Sequence, residues 1–140
     1  MHRPILPRRR PSGSTAVRVQ IVEDLPRVQR LLQGLVEQAG YFEVCGIEDT
    51  EQAALDRFKR ERPDALVIDL NLREGSGLGL INAVCQLLPP EQRPLMIVVT
   101  NHTLAALQAA SIKAGADHFL DKSRELPQLP VILQRVYFPG

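Results

Sequence analysis

No stretch of this sequence is apolar over anything near the roughly 18 residues that a membrane-spanning helix needs, and its first residues lack the apolar centre of a secretory signal. These absences point to a cytoplasmic protein with no membrane partner. Cysteine is scarce: Cys45 and Cys85 stand without a C-x-x-C pairing or histidines at ligand spacing. A disulfide framework is excluded, and both thiols read as buried and free. Charge of one sign is lacking as well, with 17 basic residues against 16 acidic ones. Such a balance offers no general polyanion-binding surface, so nucleic acid is not an expected partner. Nor is there a G-x-x-x-x-G-K-[ST] loop. The run Gly75-Ser76-Gly77-Leu78-Gly79 lacks the form and position of a dinucleotide fingerprint and reads as a turn leading into a helix.

What is present suits one soluble domain: 140 residues, 44% hydrophobic and 24% charged. The near-zero net charge hides an asymmetry, because Arg3, Arg8, Arg9 and Arg10 place +4 in the first sixteen residues and leave −3 on the rest, the sum being the net +1. Residues 1–15 (MHRPILPRRRPSGST) have neither helical nor strand period and are expected to form a basic, solvated tail. Residues 16–137 are expected to form the folded unit, with 138–140 as a short C-terminal tail.

Across that unit, strand-like and helical stretches alternate five times. The expected strands are 17–22, 42–47, 65–69, 95–100 and 118–120, four of them near-continuous apolar runs, as in strands covered on both faces. Val28, Leu31, Leu32, Leu35 and Val36 recur at one-sided helical spacing, and so do Ile81, Val84, Cys85 and Leu88. Asp24, Thr50 and Thr103 are placed to cap helices, Gly40 and Gly115 to end them, and Ser123 to open the fifth. One helix between successive strands makes the strands parallel and, with right-handed crossovers, covers both faces. The expected fold is α/β: a (βα)5 doubly wound five-stranded parallel sheet, whose ligand site belongs at the carboxyl ends of the strands near the switch point.

Those ends carry the chemistry. Strand one runs into Glu23-Asp24, strand three into Asp69, strand four into Thr100, and Lys122 follows strand five. Taken singly, each has an ordinary structural role: a helix cap, a strand terminus, a surface lysine. Asp69 stands apart even alone, since a carboxylate ending the buried run Ala65-Leu66-Val67-Ile68 is costly unless paired or metal-bound. Three crowded carboxylates call for a cation, and an all-oxygen set favours Mg2+ or Mn2+. With Lys122 as a point charge for one phosphate oxygen and the Thr100 hydroxyl as a donor to another, the set fits phosphoryl transfer to a carboxylate.

Residues 17–136 resemble a response-regulator receiver domain of two-component signalling, of flavodoxin-like, CheY-like topology. The resemblance rests on Ile21-Val22-Glu23-Asp24, on Pro63 to Leu70 (PDALVIDL) with Gly77 beyond, on Val98-Val99-Thr100, and on Ala114 to Lys122 (AGADHFLDK). It implies that Asp69 is the phosphoacceptor, fed by a histidine kinase, a phosphotransfer protein or a small phosphodonor. It further implies metal binding by Asp24 and Asp69 directly, by Glu23 through water and by the Asn71 carbonyl, and pairing of Lys122 with the phosphoryl group. Thr100 and Phe119 become the switch pair, the ring moving inward as the hydroxyl turns to the phosphate. Four positions depart from the family pattern: Glu23 for the commoner Asp, Arg73 where proline is common and the turn is expected to be looser, and Asn101 and His102 after Thr100, where they are expected to tune rates.

The chain is expected to act as a single-domain regulator, since only four residues follow Val136, and to switch binding to an effector protein. No activity as a metabolic enzyme is expected beyond slow self-dephosphorylation. The alternative is a receiver-fold interaction module that works without phosphorylation. A phosphatase of the aspartyl-phosphate type would have a second acid two residues past Asp69, where Asn71 stands. The fourth helix (LAALQAASIKA) holds one charge, Lys113, and is either a partner or homodimer surface together with the fifth strand, or simply an alanine-rich helix.

Overall fold

The structure, a computed structural model, describes residues 16–38 and 40–139. The basic tail expected at 1–15 lies outside the described residues. Five strands and five helices alternate: β1 (Val17–Val22), α1 (Pro26–Glu37), β2 (Phe42–Glu48), α2 (Glu51–Glu61), β3 (Ala65–Ile68), α3 (Gly77–Leu87), β4 (Leu95–Thr100), α4 (Ala105–Ala114), β5 (His118–Asp121) and α5 (Gln128–Tyr137). All pair in parallel in the order β2-β1-β3-β4-β5. The chain reverses its direction of growth between β1 and β3, so a switch point opens above the ends of these two strands.

Each face of the sheet is covered. Val17, Val19 and Ile21 of β1 pack with Leu32 and Val36 of α1 and with Leu129, Leu133 and Val136 of α5. On the other face Val22, Leu66 and Ile68 meet Ala54 and Phe58 of α2 and Leu80, Ile81 and Val84 of α3. β3 and β4 are buried along their whole length, which is why their sequences are unbroken apolar runs. Phe138, beyond α5, sets its ring 5.3 Å from that of Tyr41 and 5.7 Å from that of Phe42.

Several helix ends differ from the sequence expectation. Asp24 does not cap α1: Leu25 is the N-cap residue and makes no side-chain cap bond, and Pro26 supplies the fixed first turn. Leu104, not Thr103, precedes α4, again without a side-chain cap. Ser123 opens a turn, not α5, because its N–H and hydroxyl both donate to Asp121 Oδ1, at 2.9 and 2.7 Å; the helix starts five residues on, at Gln128. Thr50 does cap α2, its Oγ1 accepting from Ala53 N at 3.2 Å. Gly115 ends α4 at φ +132°, a backbone that a side chain would strain. Neither cysteine is in a disulfide, and both are half-buried where full burial was expected; Cys45 is the extra residue of a bulge, the register passing from Val19↔Val44 to Gln20↔Gly46.

Candidate functional site

β1 and β3 lie side by side at the switch point, and Asp69 N donates to Val22 O at 2.9 Å. This bond carries the pairing one residue past the end of β3, so Asp69 stands just beyond the strand rather than within it. Glu23 is anchored the same way on its other side, its N–H donating to Glu48 O at 2.9 Å. The chain then has no room to drift: Gly77, first residue of α3, passes so close that a Cβ there would lie 2.3 Å from the Asp69 carbonyl oxygen and 2.7 Å from Ile68 Cγ2. Only glycine lets α3 begin against the carboxylate-bearing residue. Its N–H donates to Leu70 O at 3.0 Å, which closes the loop.

The side chains converge. Glu23, Asp24 and Asp69 each offer an oxygen, and these oxygens lie within 4.8 Å of one another. Lys122 Nζ donates to Glu23 Oε1 at 2.7 Å and to Asp69 Oδ2 at 2.8 Å, spanning 99 and 53 positions of sequence. The lysine is delivered by the end of β5, where Lys122 N donates to Thr100 O at 2.9 Å. Glu23 is fully buried and Asp69 nearly so. Burial pushes the Glu23 carboxyl above its ordinary value, against the opposing pull of Lys122. Burial alone would lower the Lys122 pKa, but its hydrogen bonds to Asp69 and Glu23 outweigh this and raise it, so it stays an ammonium.

Three carboxylates face one ammonium, an excess of negative charge in a largely dehydrated pocket. The donor set is all oxygen, which fits a hard divalent cation such as Mg2+ or Mn2+. Asn71 lies beside the cluster, its N–H donating to Asp69 Oδ1 at 3.3 Å. Thr100 is fully buried, and its Oγ1 accepts from His102 N at 3.3 Å. Asn101 and His102 are exposed just past it. Phe119, paired in register with Val98, is buried in the same apolar cluster as Leu107, Ile112 and Ala116.

A family model for the response regulator receiver domain matches residues 19–134. The chain belongs to that family. Among curated proteins the receiver is 28% identical over 119 residues to the chemotaxis protein CheY of Thermotoga maritima, a match covering 85% of this chain and 96% of the other. It is 30% identical over 133 residues to a protein-glutamate methylesterase/protein-glutamine glutaminase of Anaeromyxobacter dehalogenans, of which it spans only 38%. Among solved structures, a response regulator from Chloroflexus aurantiacus superposes with a TM-score of 0.77 at 25% identity, covering 87% of this chain and 98% of that one. Receivers are signalling modules rather than metabolic enzymes, and the methylesterase match touches only the receiver part.

Sequence reasoning found Glu23, Asp24, Asp69, Thr100 and Lys122, and the structure brings them to one end of the sheet. It missed Asp49 and Glu51. Their partners, Arg73 and Ser76, lie 24 and 25 residues away, and no local pattern marks such pairs. Arg73, where a looser turn was expected, is tied down: its Nε donates to Asp49 Oδ2 at 3.1 Å and its Nη2 to Asp49 Oδ1 at 3.3 Å.

Proposed function

We propose that this receiver takes a phosphoryl group on Asp69 from a histidine kinase or phosphotransfer protein and thereby switches its binding to an effector protein. One observation carries the reading: a nearly buried Asp69 carboxylate lies 2.8 Å from the Lys122 ammonium, with two further carboxylates alongside. One Asp69 oxygen would form the new O–P bond as the donor's P–N bond, or P–O bond in an acyl phosphate, breaks and its leaving group departs with the electron pair. Lys122, freed from part of its pairing with Glu23, would hold a phosphoryl oxygen. Glu23, Asp24, Asp69 and the Asn71 carbonyl would hold Mg2+ or Mn2+, which when bound supplies charge neutralisation for the incoming phosphoryl oxygens. Thr100 and Phe119 form the switch pair, and Asn101 and His102, exposed at the rim, tune access and water approach.

That the receiver acts as a stand-alone regulator is supported by its match to 96% of the length of the Thermotoga maritima protein. A cytoplasmic setting suits the function, and among the described residues no helix is long and apolar enough to cross a membrane. The α4 and β5 side, with Leu104 exposed just before the alanine-rich α4, is the face we assign to an effector or a second copy. Beryllofluoride titrated in the presence of Mg2+ tests the acceptor assignment: the wild type binds it and Asp69→Asn does not. Equal behaviour of the two would overturn the assignment and favour a module that works without phosphorylation.

A further inference from the structure

We infer that Asp49, Glu51 and Arg73 are positioning residues, which clamp the loop between β3 and α3 to the start of α2 and so hold Asn71 beside Asp69. The inference rests on the metal-site reading above. Four contacts make the clamp. Arg73 grips Asp49 with two guanidinium nitrogens, at 3.1 and 3.3 Å. Glu51 N donates to Glu74 O at 3.0 Å, and the Glu51 carboxylate, through Oε1, accepts from Ser76 N at 2.9 Å. Ser76 in turn bridges to Asn71 across the loop, and Asn71 N reaches Asp69 Oδ1.

The loop and the first turn of α3 are shaped to receive the Glu51 side chain. A Cβ at Gly75 would lie 2.5 Å from Glu51 Cβ, and one at Gly79 would lie 2.4 Å from its Oε1. Gly75 also has φ +76°, so both its space and its backbone demand glycine. Leu70 and Leu72 bury their side chains beneath the same loop, but apolar contacts are non-directional and do not set the pose of Asn71. Gly77 N closes the loop onto Leu70 O, and the links that tie it to the neighbouring elements of β2 and α2 come from 49–51, at the junction of the two.

The charge of Arg73 gives the inference a sign that simple electrostatics cannot mimic. Arg73 lies within the field of Asp24, so through charge alone its removal would leave the acidic cluster more attractive to a cation and tighten Mg2+ binding. A positioning role predicts weaker binding. Calorimetric titration of the whole chain with Mg2+ decides between them. Arg73→Ala is expected to weaken binding about two- to fivefold, as befits an exposed pair, and Glu51→Ala about tenfold, as for a lost outer-shell partner. Glu51→Gln, whose amide oxygen still accepts from Ser76 N, falls between Glu51→Ala and the wild type, and the combined reversal D49R with R73D recovers affinity lost in either alone. Unchanged or tighter binding in Arg73→Ala would overturn the inference. A wild type that binds no Mg2+ would overturn the metal reading instead. Amide hydrogen exchange across 70–76 without metal would then judge the clamp: faster exchange in Arg73→Ala and Glu51→Ala supports it, and unchanged exchange overturns it.

Discussion

The two faces of the sheet are built on different terms. Toward α1 and α5 the buried side chains are mostly apolar, from Val17, Val19 and Ile21 through Leu32 and Val36 to Leu133 and Val136, with the Tyr137 hydroxyl donating to Asp64 O at 3.0 Å at one edge. Toward α2 the apolar cluster is interleaved with polar anchors. Fully buried Gln20 donates to Glu48 Oε1 at 2.8 Å and to Ala54 O at 2.9 Å, and Arg57 Nε donates to Glu48 Oε2 at 2.7 Å. Arg18 reaches across to Glu61, donating to its carbonyl and its carboxylate, each at 2.6 Å. Apolar packing supplies most of the free energy of folding, whereas polar anchors fix where an element sits. The face toward α1 and α5 is therefore the scaffold, and the face toward α2 holds the loop that shapes the site.

This contrast can be broken from either side. The largest effect is expected from Leu133→Ala in the more apolar face: a loss of about 2–5 kcal/mol in chemical denaturation, with the Mg2+ affinity of the folded protein unchanged. A weakened site in that variant would show that the two faces are not separable. Gly77→Ala should do the reverse, costing about 1–3 kcal/mol by overpacking while sharply weakening Mg2+ binding, because the added methyl must displace the Asp69 backbone. Arg57→Ala removes the cation from a nearly buried Glu48 and is expected to cost about 1–2 kcal/mol, since Gln20 still donates to the carboxylate. Its thermal unfolding midpoint, compared with that of Leu133→Ala, measures how far a polar anchor falls short of apolar burial.

The smallest effect concerns pH. The Ser123 hydroxyl and N–H, together with Arg124, hold the Asp121 carboxyl below its ordinary value. A depressed pKa contributes stability that is present above the ordinary carboxylate pKa and lost as pH falls through the folded-state value. Glu23 has the opposite sign: burial raises its pKa, so its contribution is present below the ordinary value and lost as pH rises through the raised one. Asp121→Asn should therefore flatten the acid limb of the stability profile and leave the neutral region nearly unchanged. An acid limb as steep as that of the wild type would contradict the assignment of this turn.

The strands were legible in the sequence because both faces of β3 and β4 are covered, which turns their runs wholly apolar. The candidate site was legible because its members each end or follow a strand, so topology alone gathers them. Three helix starts were misread for a common reason. Asp24 belongs to the acidic cluster, Ser123 is committed to Asp121, and Thr103 is exposed one residue too early, so in each case a capping residue type stands near a helix that it does not cap. The clamp escaped notice for a different reason: Asp49 and Arg73, or Glu51 and Ser76, become neighbours only once β2 and β3 flank β1.

The decisive measurement is intact-mass analysis of the purified chain after incubation with acetyl phosphate and Mg2+. One added phosphoryl group on the wild type, absent in Asp69→Asn and lost when the metal is chelated beforehand, is the predicted result. No addition to the wild type, or addition that persists in Asp69→Asn, would contradict phosphoryl acceptance at the switch point between β1 and β3.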